Sequence, residues 1–85
     1  MVEAVEMASR AYMLLELTDV DSNRVVQELR CQSGVMIADL LEGPPDILMM
    51  VEAPDRQKLA ELTIKAIGTV ESVAKGIRVL PSRDH

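Results

Sequence analysis

The tetrapeptide Gly43-Pro44-Pro45-Asp46 separates two apolar runs, Val35 to Leu41 before it and Ile47 to Val51 after it. Proline has no N–H to give to a strand ladder and glycine accepts positive φ, so the stretch reads as a tight connection between two strands. Working outward, each strand of this hairpin is followed on its far side by a helix and then by another strand. The succession is β-α-β-turn-β-α-β. Such a chain closes into one four-stranded antiparallel sheet with both helices on one face.

The patterns on each side support this order. From Ala11 to Thr18 the sequence AYMLLELT puts Met13, Leu15 and Leu17 on one face and Tyr12 and Leu14 on the other, with Glu16 ending the run. Both faces of this strand are expected to be buried. Asp21 or Ser22 can cap a helix from Ser22 to Cys31, where Val25, Val26 and Leu29 recur at helical spacing and Gly34 follows as a stop signal. Ile47 to Val51 is continuously apolar, which predicts an inner strand with both faces covered. Asp55 can cap a second helix whose stripe is Leu59, Leu62, Thr63, Ala66 and Ile67, with Lys58, Glu61 and Lys65 on the solvated side and Gly68 as its end. Val73, Ile77 and Val79 then mark a last strand to about Leu80, closed by Pro81. Val25 to Leu29 leading to Gly34-Val35 also parallels Leu59 to Leu62 leading to Gly68 and Val70, as in a duplicated β-α-β plan.

If both helices cover one sheet face, the other presents Tyr12, Leu14, Leu48 and Met50. Exposed apolar surface costs roughly 25 cal/mol per Å², so a second copy packed face to face is the expected cover, giving a dimeric α/β barrel. Six methionines, among them Met36, Met49 and Met50, suit the irregular gaps of such a core.

Composition narrows the function. Eighty-five residues make one small domain whose burial is marginal without a partner. The formal net charge of −5 excludes the clustered basic surface that nucleic acid or an anionic membrane requires. The apolar runs are too short to span a bilayer, which takes about 20 residues. Residues 1–10 carry Glu3 and Glu6 and lack the cationic start of a secretory signal. The single cysteine, Cys31, has no internal disulfide partner, and a reduced, cytoplasmic protein is expected, with Cys31 packed in the interior.

Several chemistries fail on the residues. Asp19-Val20-Asp21-Ser22-Asn23 starts like a calcium loop, but Arg24 stands where the sharp turn needs glycine and Arg30 where a bidentate glutamate should be. His85, the one histidine, is the last residue and has no cluster around it. Tyr12, the only aromatic residue, cannot supply the stacking platform of an RNA-recognition module. No Cys-x-x-Cys pair and no glycine-rich phosphate loop is present. No metal or cofactor is expected.

One resemblance remains. Ala11-Tyr12-Met13-Leu14-Leu15-Glu16, then Gly34-Val35, then Gly43-x-x-Asp46-Ile47-Leu48 followed by Val51-Glu52-Ala53 and Asp55, with Val79-Leu80 at the end, resembles the effector-binding (RAM) domain of the Lrp/AsnC regulators over residues 11–80. The resemblance implies a ferredoxin-like α+β fold, dimers formed through the open sheet face, rings of dimers, and an amino-acid effector bound near the hairpin turn. Carried over by position, it implies effector contacts from Gly43, Asp46, Val51, Glu52, Ala53 and Asp55, with Ala74 and Gly76 where the family often places threonines. Tyr12, Leu14, Leu48 and Met50 are the implied dimer interface. Residues 1–10 are expected to be an arm and 81–85 a tail. The family's helix-turn-helix is not found in residues 1–10, which implies a stand-alone module acting on its own or with a full-length regulator, without contacting nucleic acid or membrane itself. A small dimeric α/β-barrel enzyme of the cofactor-free monooxygenase type and a purely structural assembly module share the same plan and stay open as alternatives.

Overall fold

The structure, a computed structural model, describes residues 9–18 and 21–81. The elements are β1 (Ser9–Leu17), α1 (Ser22–Arg30), β2 (Val35–Leu40), β3 (Ile47–Ala53), α2 (Arg56–Val70) and β4 (Ala74–Pro81). The strands form one antiparallel sheet in the order β2-β3-β1-β4, so the expected ferredoxin-like α+β plan is the one found. Residues 1–8 of the expected arm and residues 82–85 of the expected tail lie outside the described residues.

Strict alternation creates the core. Met13, Leu15 and Leu17 of β1 and Ile47, Met49, Val51 and Ala53 of β3 are buried and share one sheet face. Val25, Val26 and Leu29 of α1 and Leu62, Ala66 and Val70 of α2 pack onto that same face. Each fully buried Leu, Ile or Met contributes about 1.5–3 kcal/mol relative to exposure. Both helices therefore cover one face. Each starts on an aspartate: Asp21 accepts from the Asn23 N–H at 3.1 Å and Asp55 from the Lys58 N–H at 2.7 Å, satisfying backbone donors that the first turn leaves without helical partners.

The structure differs from the sequence reading at several places. β1 starts at Ser9, so Ser9 and Arg10 belong to the sheet, and β3 runs on to Ala53. Gly68 does not end α2, which continues to Val70; that residue's full burial against the sheet outweighs the roughly 1 kcal/mol a glycine costs inside a helix. Val70 is thus helical and the parallel with Gly34-Val35 breaks there. β1 and β3 are inner strands, but Tyr12, Leu14, Leu48 and Met50 are only half-buried, because the helices cover one face and the other is open. Met13 and Met49 fill the core; Met36 is 61% exposed, at a register shift of β2 between Val35 and Ile37. Cys31 is exposed, not interior, since it is the C-cap of α1, one residue beyond the buried stripe.

Candidate functional site

The hairpin turn lies against the end of β1. Gly43 takes φ +78, the left-handed region where a Cβ is disfavoured, and the Pro44–Pro45 peptide is cis. Asp46 ties the loop down three ways. Its C=O accepts from the Leu41 N–H at 2.7 Å, its N–H donates to the Leu15 C=O at 2.8 Å, and its Oδ2 accepts from the Leu17 N–H at 2.8 Å. The carboxylate that the resemblance assigned to a ligand thus holds a partly buried backbone donor of β1.

Beside the turn is an open groove of about 370 Å³ lined by Leu14 and Glu16 of β1, Pro44 and Pro45 of the turn, and Gly76, Ile77 and Arg78 of β4. Its volume is within the usual range for a small-molecule site. The β1–β4 register sets Leu14 opposite Arg78 and Glu16 opposite Gly76, with an irregularity between Glu16 and Leu17. A β-bulge at that point re-aims the side chains next to it. A Cβ on Gly76 would meet the Glu16 Oε1 at 3.3 Å, so the glycine leaves room for that carboxylate over β4.

The candidate residues divide between two ends of the sheet. Gly43, Asp46, Ala74 and Gly76 lie at the turn end, where Ala74 pairs with Leu17. Val51, Glu52, Ala53 and Asp55 lie at the other end of β3, about 20 Å away at ~3.3 Å per residue. There Val51 and Ala53 are buried under the helices, Asp55 caps α2, and Glu52 Oε1 pairs with Arg10 Nε at 3.2 Å. Within one protomer these four do not reach the groove. Sequence reasoning passed over Glu16 and Arg78. Their signal was a single charge inside an otherwise apolar strand run, AYMLLEL and GIRVL.

On the open face the four interface candidates form two cross-strand pairs, Tyr12 with Met50 and Leu14 with Leu48. Leu80 beside Tyr12 and Ile37 beside Met50 extend the patch to both edge strands. Arg10 and Glu52 bound it at one end, and Glu16 and Arg78 at the other. Among the described residues no helix is long and apolar enough to cross a membrane, and no three His, Cys, Asp or Glu side chains are grouped to hold a metal ion.

No protein-family model matches the sequence, and no curated protein matches it. Solved structures do. The hypothetical protein PHS023 from Pyrococcus horikoshii matches with a TM-score of 0.77 at 16% identity, over 93% of this chain and 93% of that one. PH0061 matches with a TM-score of 0.75 at 16% identity, over 92% of this chain and 53% of that one. The transcriptional regulator NMB0573 from Neisseria meningitidis, solved as a complex with L-Met, matches with a TM-score of 0.66 at 12% identity, over 89% of this chain and 50% of that one. PH0061 and the NMB0573 regulator are Lrp/AsnC-family proteins. The chain shares its fold with these Lrp/AsnC-family proteins. At such identities the likeness is one of fold, and the chain spans about half the length of PH0061 and of the NMB0573 regulator.

Proposed function

We propose that the chain is a non-enzymatic effector-binding and oligomerisation module of transcription regulation, which pairs through its open sheet face and takes a small amino acid in the groove beside the turn. The observation that carries this reading is the apolar patch of Ile37, Met50, Leu48, Tyr12, Leu14 and Leu80. It crosses all four strands, is left uncovered by the helices, and runs directly into the groove at Leu14. Such a face on an 85-residue chain fits a self-complementary interface with two-fold symmetry. The fold shared with a regulator solved with L-Met supports an amino-acid effector. The groove lining supports a binding role over an enzymatic one, since it offers one carboxylate and one guanidinium but no hydroxyl, thiol or imidazole nucleophile. A full-length regulator of the same fold is the natural partner, meeting the same face in place of a second copy.

A thermal-shift screen against the twenty amino acids, with light scattering in parallel, tests both parts. A dimer or larger assembly stabilised by one or a few amino acids is expected. A stable monomer at micromolar concentration removes the sheet-face part. No stabilisation by any amino acid removes the effector part and leaves an assembly module.

A further inference from the structure

We infer that Arg30 latches the outer edge of β2 and closes it to the addition of a strand from another chain. β2 stands at one end of the sheet order, so the backbone groups on its outer side have no neighbouring strand. The segment that carries them, Val35-Met36-Ile37-Ala38-Asp39-Leu40-Leu41, is apolar except for Asp39, and Met36, Ile37, Leu40 and Leu41 are exposed. An apolar edge of this kind is a template for edge-to-edge pairing.

Alternation along the strand identifies the groups at risk. The Leu41 N–H points inward and donates to the Asp46 C=O at 2.7 Å, so the backbone groups of Asp39 also face β3 while those of Ala38 and Leu40 face outward. Arg30, the last residue of α1, occupies the first of these positions. Its Nε donates to the Ala38 C=O at 2.9 Å and its Nη2 to the Asp39 Oδ1 at 3.1 Å. Asp39 stands opposite Leu48, on the face that the helices leave open, whereas α1 packs on the other face. The guanidinium therefore crosses the strand's edge from one face to the other. Further along, the register shift between Val35 and Ile37 breaks the ladder at Met36. Leu40 is then the one regular outward position left on β2, too short a template for a ladder. The Arg30–Asp39 pair is too exposed to add much stability; what it fixes is the place of the guanidinium over the strand.

Agitated incubation of the full chain, followed by thioflavin T fluorescence and by hydrogen exchange of the assembled material, tests the latch. Arg30→Gln is expected to melt as the parent does and to assemble about tenfold faster, the factor that one lost charged hydrogen bond converts to, with the Ala38 and Leu40 amides protected in the assemblies. Arg24→Gln removes the same charge from the same helix, where Arg24 pairs with Glu28, and is expected to behave as the parent. Both substitutions make the net charge more negative, which by itself opposes association. Adding Met36→Lys to Arg30→Gln puts a charge back on the edge and is expected to restore the parent's rate. Asp39→Ala, which takes away the second contact of the guanidinium, gives a second route should Arg30→Gln not fold, with a smaller acceleration expected. If the folded Arg30 and Asp39 variants assemble no faster than Arg24→Gln, or their assemblies leave the Ala38 and Leu40 amides unprotected, the inference falls.

Discussion

Asp46 links the turn to the strand it folds against, and its energetics follow from that link. A hydrogen bond to a charged group is worth about 1.5–3 kcal/mol, and the Leu17 N–H it satisfies is partly buried. Asp46→Ala is therefore expected to destabilise the protein by about 1–3 kcal/mol in urea denaturation. Asp46→Asn is expected to cost less, because the amide oxygen still accepts from Leu17. Gly34 is held more tightly than any other glycine. Its φ is +86, and a Cβ there would lie 2.6 Å from Leu62 Cδ1 and 3.3 Å from the Glu52 C=O. Gly34→Ala combines left-handed strain with a clash against a buried leucine, and a loss of about 1–3 kcal/mol is expected in the same measurement.

Among the elements, α2 carries a residue that its packing does not require. Gly68 is exposed, has ordinary helical geometry, and nothing lies within 4 Å of where its Cβ would be. Gly68→Ala should raise stability by about 0.5–1 kcal/mol, mainly by restricting the unfolded chain, and a higher melting temperature by calorimetry would register it. The same position explains why the end of this helix was misread in sequence. A glycine after an apolar stripe looks like a stop, and only the burial of Val70 two residues later shows that the helix gains by continuing. β3 is an inner strand, as its five consecutive apolar residues signal, and the helices of one chain cover one of its faces, leaving the other for the proposed second copy.

At the scale of the whole molecule, the uncovered face is the proposed assembly surface. Leu48 lies at its centre and is half-buried within the protomer, so Leu48→Asp should leave the protomer folded while placing a desolvated charge in any face-to-face pair. Removing such a charge from water without a partner costs several kcal/mol. Size-exclusion chromatography with light scattering is expected to show a dimeric parent and a monomeric Leu48→Asp. An unchanged dimer would place the interface elsewhere.

The sequence by itself determined the order and type of all six elements, the Asp55 cap, the choice of Asp21 or Ser22 for the other, and most of the core. These depend on local quantities: period-two and helical spacing, a proline's missing donor, an aspartate before a helix. It also determined which side chains share a face, because alternation along a strand needs no partner to be read. Only the tertiary structure decided which ends of the strands meet. Gly43, Asp46, Ala74 and Gly76 came together with Glu16 and Arg78 because antiparallel pairing brings β4 and the turn to the same end of β1. Val51, Glu52, Ala53 and Asp55 were carried to the opposite end by the direction of β3. Proximity of this kind is set by strand order and register, which long-range pairing fixes and no local pattern encodes.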